Sequence, residues 1–437
     1  NRCDVQSMKI YFFLILITGI GYSQATGLSI YGVGEKIDNT DPASLAMGNS
    51  SFFSGNSKHI SNGSPSSLWR SALTRFTIHS GLNYLSTGQF PDQHQQNLTS
   101  FSILFPVGSK KVIGLGLKPT YRTNKLKVAD EKFQFIGADE SITGDIIAYK
   151  NVYTIDGGIS EMFLGYSQKL SPQFSVGIKY SLLFGNQFLN DELYTYDVVL
   201  DTSSAGGLLI SEFMDNGDTF YAKAENGLMT EVNKYRKFSG ASISAEGRYL
   251  NERHEFVLNV LIKGKTKVET TNQIIVGNST STNTFENSAT KLSSDIGLGY
   301  RYKISNNSGI TVELHNNSPF NIPENAAIFD IMPPGEKSIH FGSYYQFQNS
   351  KIGYWNNLNI RGGAYMKNLE FSDGIFRDVG ATFGIGFEYL GNTQSVDLAL
   401  RLGKKESRLF IGEYEEYISF HIGITTGEKW FMKRRRK

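Results

Sequence analysis

With 437 residues the chain has the length for one large domain or two ordinary ones, and a net charge of +2 gives no electrostatic pull towards nucleic acid. Its 45 glycines, 30 phenylalanines and 23 tyrosines, against 10 prolines, favour strands and aromatic belts over helices. The slightly negative mean hydropathy excludes a helical membrane protein but not a β-barrel, because half of each barrel strand is polar.

The first segment reads as an export signal. The lone cysteine, Cys3, lies upstream of Met8, the start that fits best, so residues 1–7 stand outside the signal. Met8-Lys9 leads into the apolar run Ile10 to Ile20, then Gly21-Tyr22-Ser23-Gln24-Ala25, with small residues at the third-last and last positions. That is a Sec signal peptide cut near Ala25; the run is shorter than the ~20 residues a spanning helix needs. Residues 26–73 follow, rich in Ser, Gly and Asn and without alternation.

From Thr74 to the end, residues 74–437, apolar residues recur with a period of two, which gives each strand one oily face. Strand one opens at Arg75-Phe76-Thr77-Ile78-His79. Phe101, Ile103 and Phe105 mark the second, and Ile113, Leu115 and Leu117 the third. Met162, Leu164 and Tyr166 mark the fourth, and Phe174 to Leu182 the fifth. After a long gap come Ile243 to Tyr249, Phe256 to Ile262, Ile296 to Tyr302, Ile310 to Leu314, Ile339 to Phe347, and Leu358 with Ile360. The clearest unit is Val379 to Leu402, two alternating stretches joined at Gly391-Asn392-Thr393, with Ile418 to Ile424 closing the series. The count is about fourteen, and bacterial barrels have an even number. Connections alternate in length. Those at 170–174, 250–254, 303–309, 348–355 and 390–395 are short; those at 122–155, 189–237, 264–293 and 316–337 are long. A barrel with short periplasmic turns and long outer loops has that rhythm. The fold expected is an all-β, transmembrane antiparallel β-barrel of about 14 strands with an N-terminal plug. The 189–237 stretch has strand-like pieces around Val198 and Ile210, and Pro319, Pro323, Pro333 and Pro334 give 316–337 an ordered coil. The basic run Lys433 to Lys437, after Trp430-Phe431, reads as a solvated periplasmic tail beside an aromatic interface anchor.

No G-x-S-x-G elbow and no H-E-x-x-H pair occurs, and Gly114/Gly116 and Gly384/Gly386 open no dinucleotide fingerprint. No catalytic set, cofactor or metal is expected, and the chain reads as a non-enzyme. His79, His340 and His421 fall on lumen faces, where a Ser-His-Asn arrangement of the barrel-phospholipase kind has no motif to support it. The lumen face carries both signs of charge: Lys179, Glu246, Arg248, Asp295, Arg301, Arg361, Glu388 and Arg401, with Glu255, Glu313 and Asp397 beside them. A selectivity filter favours one sign, so a mixed set points to cross-strand pairs that stiffen a filled lumen.

Before strand one, Ala43-Ser44-Leu45-Ala46-Met47-Gly48-Asn49 and Ser64-Pro65-Ser66-Ser67-Leu68 resemble the opening of FadL-type outer-membrane transport proteins and the related PorV-like type IX secretion barrels. Asn49 stands for the second glycine of the first run, and only Pro65 and Leu68 remain of the second. Trp430 to Arg434 resembles the chain ends of Bacteroidetes-type barrels. The resemblance implies a hatch inside the barrel and diffusion of hydrophobic compounds through a lateral opening. Met47, Phe52, Phe53, Pro65 and Trp69 are the candidate hatch or ligand contacts. The reading is a monomeric outer-membrane barrel that passively passes fatty-acid-like small molecules, set in outer-membrane lipid and lipopolysaccharide. The first alternative is a structural or secretion-accessory barrel with a periplasmic or secretion partner. Transport requires an oily path to a wall gap near the hatch; an accessory barrel requires a sealed wall and apolar loop tips.

Overall fold

The computed structural model describes residues 34–37, 41–55, 59–87, 93–129, 134–136, 147–203, 208–215, 218–291, 294–317, 335–347, 358–371, 374–389, 394–407 and 414–428. The signal segment, Cys3, Pro319 to Pro334 and the basic tail lie outside them.

Fourteen strands form a closed antiparallel ring. They are β1 (Thr74–Thr87), β2 (Gln93–Gly108), β3 (Lys111–Ala129), β4 (Ile147–Lys169), β5 (Phe174–Asp201), β6 (Asp218–Leu250) and β7 (His254–Lys263). The second half is β8 (Asp295–Lys303), β9 (Ser308–Asn317), β10 (Gly335–Gln346), β11 (Leu358–Phe371), β12 (Gly374–Tyr389), β13 (Gln394–Ser407) and β14 (Tyr414–Glu428). Each pairs with its neighbour, and β14 closes on β1 from Glu415↔Thr87 to Glu428↔Thr74. Closure matters because a free edge in lipid would leave backbone groups unpaired.

The alternation sorts side chains as a membrane demands. On β5, Phe174, Ile178, Tyr180, Leu182 and Phe184 are exposed outward, while Ser175, Gly177 and Ser181 are buried inward. That stretch matches the apolar band of about 25 Å that spans an outer membrane. Above it the outward face turns polar at Asn186 and Lys237, which pair across β5 and β6.

The connections at 122–155, 189–237 and 264–293 prove to be mainly strand, not loop. β5 runs for 28 residues and β6 for 33. Lys265–Val276 and Ser279–Lys291 form a hairpin that docks on the upper part of β6. Polar Asn, Ser and Thr content mimicked a loop because a wall wetted on both faces has no oily period to detect. On the same rim, the β11–β12 ladder runs on to Phe371↔Gly374, so that connection is short.

The segment before β1 lies within the ring. Asp41 caps a short helix, Pro42–Leu45, by accepting from the Ala43 N–H at 3.2 Å, and Pro42 occupies its first position. A 3-10 turn, Pro65–Arg70, follows. Inward glycines let the segment approach the wall: a Cβ on Gly177 would lie 2.2 Å from the Pro65 carbonyl carbon, and one on Gly363 would lie 2.2 Å from the Gly48 nitrogen.

Candidate functional site: a plugged lumen and a parted wall

Near the short turns, one carboxylate gathers three arginines. Glu255 on β7 pairs with Arg248 on β6, with Arg301 on β8, and with Arg70 of the N-terminal segment at 2.8 Å. The Phe53 ring lies between two of these guanidinium groups, 5.4 Å from Arg248 and 5.2 Å from Arg301. Glu246 accepts from the hydroxyls of Ser64 and Ser66, and Arg248 donates to the Phe52 carbonyl at 3.0 Å. Arg301 donates to the Gly55 carbonyl at 2.7 Å. One strand further, Glu313 accepts from the Ser50 hydroxyl and from the N–H groups of Ser51 and Phe52, at 2.7 and 3.0 Å. Strands and segment therefore answer each other's buried carboxylates, and the described residues fill this end, which is shut.

The other expected lumen charges fall into separate groups. Arg361 pairs with Asp397 at 2.7 Å, and Glu388 meets His59 of the segment at 2.7 Å. Arg401 stacks over the Tyr417 ring at 4.8 Å. Lys179 and Asp295 line a cavity of about 130 Å³ above the shut end. There Glu161 holds Lys179 at 3.1 Å and Lys118 at 3.4 Å. His315 lies 3.6 Å from Asp295 and 3.5 Å from Glu313. Lys263, also on this cavity, donates to the Tyr121 hydroxyl at 3.2 Å. Tyr121, Ile159, Leu183, Phe238 and Val268 form a buried apolar cluster.

Of the five expected hatch contacts, Phe52 lines the cavity. Met47 and Phe53 pack with Phe52, Val257 and Tyr344. Pro65 is wedged against Gly177, and Trp69 lies under the Lys169 ammonium at 4.6 Å. Glu161 and Lys118 are not among the expected lumen charges, although both sit on the inward parity, Glu161 between Met162 and Ser160 and Lys118 after Gly114 and Gly116. Lys36 and Glu336 carry no such signal, since the first precedes every alternating stretch.

The wall is not evenly zipped. β2 and β3 pair from Gly108↔Lys111 to Phe101↔Leu117 and then part: among the described residues, no ladder joins 93–100 to 118–129. β2 goes on along β1, and β3 along β4. Bulges mark the parting. The β1–β2 register shifts between His79 and Ser80, and the β3–β4 register between Pro119 and Tyr121. On the edge that β2 vacates, the two-residue strand Glu35–Lys36 pairs with Arg122 and Tyr121, and the Ile37 N–H donates to the Thr120 carbonyl at 2.9 Å. Two ion pairs tie this strand across the lumen, Lys36 to Glu336 at 2.8 Å and Glu35 to Lys405. Burial alone would draw the proton from Lys36; the Glu336 and Asp295 carboxylates outweigh it and hold its pKa above the ordinary lysine value. Phe101, whose ring meets the outward Phe76 edge-on at 4.8 Å, also lines the cavity, so the cavity reaches the wall where the strands part.

The profile of the family described as BamG matches residues 6–437. The chain belongs to the BamG family. No curated protein matches the sequence. Among solved structures, this BamG-family chain is similar to a FadL homologue of Pseudomonas aeruginosa, with a TM-score of 0.56, 9% identity, and coverage of 90% of this chain and 99% of that one. It is also similar to the CymD monoaromatic hydrocarbon channel, with a TM-score of 0.54, 11% identity, and coverage of 93% and 100%. The toluene transporter TodX of P. putida gives 0.51, 12%, and 90% and 99%. These likenesses establish a FadL-type barrel fold, and two of the three proteins are a channel and a transporter.

Proposed function

We propose that this BamG-family chain is a monomeric outer-membrane barrel, exported by the signal that runs from Met8 to Ala25. In this reading residues 26–73 are the hatch, residues 74–437 are the barrel, and an amphipathic, fatty-acid-like molecule passes between the outer face and the membrane through the parting of β2 and β3. The observation that carries it is that parting, placed beside a lumen cavity whose periplasmic end is shut. A molecule leaving such a cavity has a sideways route into the bilayer. The lining suits a chain with a charged head: Lys263 is 4% exposed, with a phenol as its hydrogen-bond partner, while Phe52, Phe101 and Phe163 offer apolar contact. Movement down a gradient requires no bond to be made or broken.

The test is uptake of a long-chain fatty acid by liposomes carrying the intact protein or one lacking Thr26 to Leu73. Uptake in the first and a changed rate in the second is expected; equal uptake removes the hatch from the mechanism, and none in either removes transport. An accessory role has one observation in its favour. Val199, Leu209, Leu228, Ile274 and Val276 are exposed on the tall outer wall, where a protein partner would find apolar footing. Absent uptake together with a discrete cross-linked adduct at Leu228 would favour that reading.

A further inference from the structure

The parting of β2 and β3 exposes more than a route. Ser100 is the first β2 residue above the last ladder pair, Phe101↔Leu117, and it lines the cavity. The β1–β2 bulge falls beside it: His79 pairs with Ser100 and Ser80 with Leu98, leaving Thr99 over. Such an extra residue re-aims the side chains next to it. The Ser100 hydroxyl lies 2.8 Å from Nδ1 of His79. On the far side of the ring, Nε2 lies 3.8 Å from a carboxylate oxygen of Asp41. His79 is 3% exposed, and a Cβ on Gly423 would lie 2.7 Å from its Cδ2 and 3.1 Å from Pro42, so hatch and wall together confine the imidazole.

We propose that Ser100, His79 and Asp41 form an ester-cleaving centre at the wall opening, acting on the acyl esters of membrane lipids. Asp41 favours the tautomer with its proton on Nε2. Nδ1 is then the acceptor, and the Ser100 hydroxyl donates to it. Ser100 Oγ attacks the ester carbonyl while His79 Nδ1 takes its proton. The carbon–oxygen bond to the alcohol breaks, and the alcohol leaves with that proton. Water then attacks the acyl-serine, His79 takes a proton from it and returns one to Ser100, and the fatty acid is released. The developing oxyanion has two sources of stabilisation. β2 has no ladder partner on this side among the described residues, so its edge can present backbone N–H groups, and Lys118, next after the last paired residue of β3, lines the same cavity. Three features of one opening thus serve one chemistry: lipid access, a hydroxyl–imidazole pair, and cationic and backbone donors. This goes beyond passage of small molecules, which needs none of the three residues to react.

The experiment is fluorophosphonate labelling of the purified, detergent-folded protein, with mass mapping of the adduct, alongside release of p-nitrophenol from a p-nitrophenyl ester. Labelling at Ser100 is expected, lost completely in Ser100→Ala. His79→Phe should slow both readouts by roughly a hundredfold or more, the range a general base supplies. Asp41→Asn keeps a helix-capping side chain but removes the charge. It should lower the rate and alter its dependence on pH, which a merely structural role would not do. Each variant is accepted only if it keeps the heat-modifiable mobility of a closed barrel. Absence of an adduct on folded wild type, an adduct on another serine, or unchanged hydrolysis in Ser100→Ala overturns the proposal. Labelling reads one hydroxyl and not flux, so its failure leaves the uptake result standing, and failed uptake leaves the labelling result standing.

Discussion

The lumen has two ends built on different rules. At the short-turn end Glu255 meets three arginines, and Glu246 and Glu313 accept from several donors of the N-terminal segment, so the buried carboxylates there are answered by groups on other elements. At the height of the cavity the wall itself is incomplete, and a strand of only two residues, held by two ion pairs, takes the place of a missing neighbour. The first region is densely packed; the second has room. The same mixture of charged residues thus builds a packed cluster in one place and ties a two-residue strand across a cavity in another.

Replacing Glu255 with Ala should produce the largest effect. It strands Arg70, Arg248 and Arg301 in a buried site, at a cost of roughly 3–5 kcal/mol. Urea unfolding followed by heat-modifiable mobility should show a much lower midpoint or no closed barrel. An unchanged midpoint would mean that the shut end is not held by charge. Glu313→Ala comes next. It removes the acceptor for Ser50, Ser51 and Phe52 and should free that turn, at about 2–3 kcal/mol for buried donors left unpaired. Protease cleavage between Asn49 and Gly55 in an otherwise intact barrel is the readout, and full protection would contradict the picture. Lys36→Glu sets two carboxylates against each other and should loosen the covering strand. Uptake should rise by up to about tenfold, the shift that ~1.5 kcal/mol provides, and return when Glu336→Lys is added. No rise, or no return, would mean the strand does not cover the route. The smallest effect is expected for Lys337→Ala. Its pair with Glu370 is 2.8 Å long but its side chain is 59% exposed, so stability should move by under about 1 kcal/mol.

The strand number and the facing of each strand were legible because lipid enforces a period of two, and Ile243, Phe256 and Leu298 obey it. The shut end was partly legible. Arg248, Glu255 and Arg301 share the inward parity, but nothing in the order of residues says that Arg70 completes the group. The parting could not be seen, since Phe101 and Leu117 read like any paired positions, and a bulge at Thr99 leaves no mark in an alternating string. Ser100 and His79 are the last pair of the regular β1–β2 register, and the bulge begins just beyond them. The tall outer wall reads as loops in the sequence because, where water wets both faces, the alternation that betrays a strand disappears.

The ring closes by joining its first strand to its last, and it encircles a segment that precedes both. Residues 41–55 and 59–73 touch β6, β8, β9 and β12 from within, so zipping of the β1–β14 seam encloses whatever of the segment is already in place. A segment that enters later has to pass a mouth of the closed ring. A chain made without those residues would enclose an emptier pore that peptide added afterwards could only approach from its mouths.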